Sequence, residues 1–100
     1  MKVHVHPGAR EDILEAAWFY DEQEAGLGDR VASFLESQIH EIARTPGLHR
    51  RYGHFHGALA QGAFPYYMIY YTLELDGLHV RAVLDHRRDP KHIRRRRRSA

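Results

Sequence analysis

The chain has 100 residues, 43% of them hydrophobic, and a formal net charge of +2. This length suits a single domain, and no apolar run reaches the roughly 20 residues that a membrane span needs. The chain has no cysteine, which excludes disulfides and thiolate metal sites. The N-terminus lacks the apolar core of a secretory signal, so we expect a cytoplasmic protein that does not associate with membranes.

The positive charge is concentrated at the C-terminus. Residues 1–86 hold seven basic and twelve acidic residues, a charge of −5, whereas residues 87–100 hold eight basic and one acidic, a charge of +7. The arginine run at 94–98 is expected to be disordered when free and to attract phosphates or an acidic partner. The alternative is a solvated tail without a binding role. We assign residues 1–93 to the domain and residues 94–100 to a basic tail.

The first half of the chain predicts a strand and two helices. Residues 2–6 alternate apolar and polar side chains, as in a short strand, and Pro7 ends it. Apolar residues recur at helical spacing from Ala9 to Tyr20, and this helix is expected to stop near residues 24–26. A second helix is predicted from about residue 27, with Asp29 as its N-cap, to the closing residues 45–47. Only about four residues connect the two helices, so we expect them to be antiparallel neighbours.

The second half predicts strands. Residues 58–63 form a weaker strand candidate, and residues 64–86 form a hairpin whose two-residue turn is Asp76-Gly77. The predicted fold is therefore α+β: an N-terminal strand, an antiparallel helical hairpin, and an antiparallel three-stranded segment that joins the first strand in one sheet. The helices are expected to cover one face of this sheet and to leave the other open.

The turn sets which side chains share a face. With Leu75 opposite Leu78, period-two alternation assigns two sets, although a shift of one residue would exchange them. The helix-facing set is Tyr67, Ile69, Tyr71, Leu73, Leu75, Leu78, Val80, Ala82, Leu84 and His86. The open-face set is Tyr66, Met68, Tyr70, Thr72, Glu74, His79, Arg81, Val83, Asp85 and Arg87.

Four short motifs resemble one known family. They are the helix opening at 9–20, Gly-Leu-Gly at 26–28, Phe-Pro-Tyr at 64–66 and His-Arg-Arg-Asp-Pro at 86–90. In this order and on these elements they resemble the RelE/ParE superfamily of bacterial toxins, over nearly the whole chain. The resemblance implies the toxin of a type II toxin–antitoxin, or plasmid stabilisation, module, which forms a hetero-oligomer with its antitoxin. ParE-like members inhibit DNA gyrase, whereas RelE-like members cleave messenger RNA on the ribosome.

The basic residues bear on the choice between these activities. Metal-free RNA cleavage needs a base, an acid and cations that hold the developing phosphorane charge. The candidates for these roles are Arg81, Arg87, Tyr66, Tyr70, Lys91 and His86. Residues 58–63 lack the basic residues that RelE-like nucleases carry there. We therefore expect a ParE-like gyrase inhibitor without catalysis, the alternatives being a ribosome-dependent endoribonuclease or a decayed toxin that only binds its antitoxin.

Two further sets of residues are expected to bind partners. Basic and aromatic residues that can contact the target are Arg50, Arg51, Tyr52, Arg87, Arg88 and Lys91. Apolar helix residues that belong to the core by default, and mark an antitoxin groove if they are exposed, are Leu14, Trp18, Phe34 and Ile42.

The histidines do not predict a metal site. The chain has nine, and His4 and His6, like His54 and His56, are two residues apart. Spacing supplies neither pair with a third ligand, so we expect no metal and no cofactor. His86 is expected either to be structural on the helix side of the sheet or to titrate in a site.

Overall fold

One mixed five-stranded sheet, in the order β1-β5-β4-β3-β2, organises the computed structural model, which describes residues 1–100. In chain order the elements are β1 (Val3–Val5), α1 (Pro7–Gln23), α2 (Leu27–Ile42), β2 (Arg50–Tyr52), β3 (Phe55–Leu59), β4 (Tyr67–Glu74), β5 (Gly77–Asp85) and α3 (Pro90–Ser99). β1 is parallel to β5, and the other neighbours are antiparallel. The predicted α+β class is confirmed. Four strands follow the helices instead of three, because β2 pairs with β3.

The helical hairpin buries one stripe from each helix. Residues at helical spacing point from α1 into the core (Ala9, Ile13, Ala16 and Tyr20), as do others from α2 (Val31, Leu35, Ile39 and Ile42). The predicted N-cap of α2 was wrong: Gly26, at φ 90°, precedes the helix, and Asp29 lies in its first turn. Gly26 can take this left-handed conformation without a Cβ clash.

The two helices are in close contact at Gly28. Its backbone N–H donates to the Asp21 carboxylate over 2.7 Å. A Cβ at this position would run into the Ala17 carbonyl and the Asp21 side chain. The glycine therefore sets the distance between α1 and α2.

The sheet is buried on both faces. The larger core, on the helix side, includes Ile69, Tyr71 and Val80. The second core lies on the opposite face and consists of Phe55, Met68, Tyr70, Ala82, Leu84 and Ile93. The face predicted to be open is thus partly covered, because Ile93 of α3 packs against it. None of the three helices combines the length and apolar composition that a bilayer crossing needs.

The predicted hairpin register was wrong in two places. Glu74 pairs with Gly77, so the turn residues are Leu75 and Asp76. A bulge between Tyr70 and Tyr71 then shifts the pairing by one residue on β5, which leaves Arg81 as the extra residue and reverses the alternation beyond it. As a result Val83 belongs to the helix-side core, and Ala82 and Leu84 to the second core. Leu75, predicted to face the helices, is fully exposed at the turn.

The arginine run, predicted to be disordered, is helical. Asp89 caps α3 by accepting the Lys91 N–H over 2.9 Å, and Pro90 occupies the first turn. Arg96 donates to the buried Asp12 carboxylate over 2.6 Å, and the same carboxylate oxygen accepts the Val83 N–H over 3.0 Å. Asp12 therefore joins α1, β5 and α3.

The close approach at Gly28 can be tested by Gly28→Ala. We expect a loss of about 2–3 kcal/mol in the free energy of unfolding, because the methyl group meets backbone that cannot move aside. Gly8→Ala is the matched control, since its Cβ meets nothing nearer than 3.8 Å. That change should be neutral or stabilising by about 0.5 kcal/mol. Urea denaturation measures both, and equal values would contradict a close helix contact.

The role of Asp12 can be tested by Asp12→Ala. It should cost about 2–3 kcal/mol, because the Val83 N–H and Arg96 both lose their acceptor. Arg96→Gln should cost about 1 kcal/mol, since the Val83 bond survives. The exposed neighbour Arg95 provides the control, Arg95→Gln, with an expected change within about 0.5 kcal/mol. If all three variants unfold at the same urea concentration, α3 is not held by Asp12.

Candidate functional site

Four side chains meet on the face of the sheet that α3 covers. Tyr52 of β2 packs edge-on against Tyr70 of β4, with ring centroids 5.7 Å apart. The Arg97 guanidinium of α3 lies 5.5 Å from the centroid of each ring. His86, just after β5, stacks beside Tyr70 at a centroid distance of 6.0 Å. We call Tyr52, Tyr70, His86 and Arg97 the tyrosine–histidine cluster.

Tyr70 and His86 are joined by a hydrogen bond. The Tyr70 hydroxyl lies 2.7 Å from His86 Nε2. Burial lowers the pKa of His86, and the Arg97 charge lowers it further. Burial raises the pKa of Tyr70, although Arg97 opposes that shift. At neutral pH the cluster therefore holds a neutral imidazole, which can accept a proton, beside a protonated phenol, which can donate one.

A basic pocket opens next to this cluster. Its volume is about 420 Å³, and its lining is Tyr52, Gly53, His54, Phe55, Arg94, Arg97 and Arg98. Within the arginine run the only ion pair is that of Arg96 with Asp12. The charges of Arg94, Arg97 and Arg98 are therefore left for an anionic ligand, and the aromatic walls offer faces for stacking. We call this surface the basic pocket.

Arg87 and His86 exchange the faces predicted for them. Arg87 Nη2 donates to the Tyr20 hydroxyl of α1 over 3.2 Å and to Asp85 Oδ2 over 2.7 Å. Its guanidinium lies 4.0 Å from the centroid of the Tyr66 ring. Bonding to Asp85 raises the pKa of Arg87; burial opposes ionisation of Asp85, but Arg87 still lowers the pKa of that carboxyl. Arg87 thus faces the helix side, because the bulge at Arg81 shifts the register.

Arg81 is not part of the same site. Its Nη2 donates to Glu74 over 2.5 Å, and its Nε donates to Thr72 Oγ1 over 3.3 Å. Both partners lie toward the turn end of the hairpin, away from His86. Arg81 is therefore engaged in a separate cluster.

The remaining predicted target-binding residues are divided. Arg50 lies 5.3 Å over the Tyr52 ring and borders the tyrosine–histidine cluster. Arg51 instead donates to the Gly53 carbonyl over 3.3 Å. Arg88 and Lys91 are exposed. Their backbone N–H groups donate to the Asp85 carbonyl and the Asp89 carboxylate, respectively, and their side chains make no hydrogen bond.

Sequence reasoning missed the arginines of α3 as site residues. Arg94, Arg97 and Arg98 line the basic pocket, although the arginine run was assigned to a tail. The signal that could have found them is Asp89-Pro90, which is a helix N-cap followed by proline at the first helical position.

Only part of the predicted antitoxin set is accessible. Trp18 is 72% exposed and Leu14 is 52% exposed, and Phe19, which sequence reasoning missed, is 51% exposed. Phe34 is half-buried against Phe64, with ring centroids 5.5 Å apart. Ile42 is buried in the helix-side core, so it is not available to a partner. The accessible apolar strip is therefore Leu14, Trp18 and Phe19 on α1.

Comparison with known proteins assigns no family to this chain. No protein-family model matches it, and no curated protein sequence matches it significantly.

The coupling between Arg97 and His86 can be tested by titration. The pKa of His86 should lie below its usual value of 6.5. Arg97→Gln should raise this pKa, because it removes the positive charge of Arg97 and part of the side chain that keeps water from the imidazole. Arg95→Gln should leave it unchanged. Since folded His86 binds a proton less readily than unfolded His86, its contribution to stability is complete above about pH 6.5 and is lost as the pH falls. Histidine NMR resonances measure the pKa, and equal values in the two variants would contradict the contact.

Proposed function

We propose that this chain is the toxin of a type II toxin–antitoxin module, that an antitoxin neutralises it by binding, and that it acts by docking on DNA gyrase rather than by catalysis. The toxin assignment is supported by the resemblance of the four motifs to the RelE/ParE superfamily, and the choice of gyrase by residues 58–63, which lack the basic residues that RelE-like nucleases carry there. The non-catalytic part is supported by the ion pairs of Arg81 and Arg87.

Those ion pairs leave neither arginine ready to hold a phosphorane. Arg87 makes two parallel bonds to Asp85, from Nε over 3.1 Å and from Nη2 over 2.7 Å. Arg81 makes a single bond to Glu74, from Nη2 over 2.5 Å, and its Nε donates to Thr72 Oγ1. A paired guanidinium must lose its carboxylate before it can stabilise another anion, which weakens it as a catalytic cation. Neither guanidinium is hydrogen-bonded to His86.

The surface that is left suits docking. The basic pocket presents three arginines around aromatic side chains, and α3 carries six basic residues in ten. Such a surface attracts an acidic protein patch or the phosphates of a protein–DNA complex. We infer that α3 and the β2–β3 hairpin contact the target.

The apolar strip supports an antitoxin. Trp18 and Leu14 expose large apolar side chains on the outer surface of α1, and Phe19 exposes its ring at the edge of the helix, where it lines a pocket with Tyr67 and Val83. Large exposed apolar side chains in a group mark surfaces that a partner covers. An amphipathic antitoxin segment laid along α1 would bury them.

A ribosome-dependent endoribonuclease is the second candidate, and the bond between Tyr70 and His86 favours it. A neutral His86 whose Nε2–H donates to the Tyr70 hydroxyl keeps a lone pair on Nδ1, which can take the proton of a ribose 2′-hydroxyl. Arg97 can hold the charge that develops on the phosphate, and water would supply the proton to the leaving 5′-oxygen. Tyr70 would keep the imidazole in position. In this reading the catalytic residues are His86 and Arg97, and Arg81 and Arg87 have structural roles.

Pulse-labelling of DNA and protein synthesis after induction of the chain alone distinguishes these activities. We expect DNA synthesis to stop first, and His86→Gln to be as toxic as the wild type, because docking needs no general base. The matched control His40→Gln alters an exposed histidine on α2. Purified chain should also inhibit supercoiling by purified gyrase.

The other outcomes are equally distinct. Protein synthesis that stops first, with toxicity abolished by His86→Gln and kept by His40→Gln, would replace gyrase docking by RNA cleavage. Normal growth with abundant folded protein would contradict both activities and favour a decayed toxin.

A further inference from the structure

Three side chains from separate segments converge at the far edge of the sheet, where β1 meets the β4–β5 turn. His4 lies on β1, Asp76 in the turn, and His79 on β5. One nitrogen or oxygen atom of each lies within 4.8 Å of the others. His4 and Asp76 are separated by 72 residues in the chain, so no spacing pattern reveals the group.

The donor atoms are the kind that a divalent cation selects. His79 Nε2 lies 2.6 Å from Asp76 Oδ1, and His4 Nε2 lies 3.5 Å from Asp76 Oδ2. Tetrahedral zinc, with bonds of about 2.0–2.1 Å, separates its ligand atoms by about 3.3 Å. The distance between His4 and Asp76 already fits this separation. The distance between His79 and Asp76 is too short, but the Asp76 side chain is 63% exposed in the turn and can rotate to lengthen it.

The surroundings support ligation. The other ring nitrogen of His79, Nδ1, lies 2.7 Å from His6 Nε2. A ligating histidine commonly uses its second nitrogen in such a bond, which orients the ring. Arg81 is the nearby cation, and Glu74 already neutralises it. The His79 ring is nearly buried and stacks on the His4 ring at 4.4 Å, with the ring planes 19° apart. His79 is therefore fixed, and the His4 ring tilts to bring its lone pair onto the same ion.

The geometry points to a zinc-class divalent cation site formed by His4, Asp76 and His79, with water completing the coordination. Two imidazole nitrogens and one carboxylate oxygen suit borderline metals such as Zn²⁺ better than Mg²⁺ or Ca²⁺, which prefer oxygen ligands alone. The ion joins β1 to the β4–β5 turn and so fastens the edge strand to the sheet. This site lies apart from the tyrosine–histidine cluster and does not depend on the toxin assignment.

Zinc titration of metal-free, untagged protein tests the site. The wild type should bind one equivalent at neutral pH, and its melting temperature should rise by about 10 °C when free zinc is about 100 times Kd. His4→Gln and Asp76→Asn should each weaken binding by more than about tenfold. Both change accessible side chains, and circular dichroism verifies that the variants fold.

His40→Gln is the matched control, because His40 is an exposed histidine on α2, away from the cluster. It should bind zinc as the wild type does. Co²⁺ should give a visible absorption band in the wild type and in His40→Gln that is absent from the other two variants. The site is overturned if the wild type shows no saturable binding, or if His4→Gln and Asp76→Asn bind as tightly as His40→Gln.

Discussion

The buried carboxylate of Asp12 is the interaction on which the arrangement of this protein depends. It accepts the Val83 N–H and the Arg96 guanidinium at the same oxygen. A carboxylate that is only 7% exposed needs such partners to offset its loss of hydration. Because Arg96 is held inward, the next residue along α3, Arg97, is turned over the rings of Tyr52 and Tyr70. The geometry of the candidate site therefore follows from an ion pair outside it.

Local sequence patterns predicted the helices and strands better than they predicted the register in which the strands pair. Helical periodicity identified α1 and α2, and alternation identified β1 and the long hairpin. The turn was misplaced because Gly77 was assigned to it, whereas the structure uses Gly77 for a different reason. Its φ is 135°, and β1 passes so close that a Cβ would meet the Lys2 carbonyl. The Leu78 N–H donates to that carbonyl over 2.9 Å, a contact between distant parts of the chain that no local pattern contains.

The candidate site was only partly predictable for the same reason. Tyr70 and His86 were predicted as candidates for acid and base roles, but they lie on the same face of the sheet only because of the bulge at Arg81. Arg87 was placed on that face, whereas pairing with Asp85 and Tyr20 draws it to the other side. The group of His4, Asp76 and His79 was invisible, because its members come together only when β1 joins the sheet beside β5. The sequence identified residues with suitable chemistry, but the tertiary structure determined which of them lie together.

Ile93 is the one buried residue of α3. This ten-residue helix has six basic side chains, of which only Arg96 is ion-paired, and a single apolar anchor, so we expect it to open more readily than the sheet beneath it. Each opening uncovers Phe55, Met68 and Leu84, the apolar floor of the second core. An anionic partner that neutralises the arginines removes the repulsion that drives this opening. Binding of such a partner would therefore order α3, so the rigidity of this face of the sheet depends on what is bound to the helix.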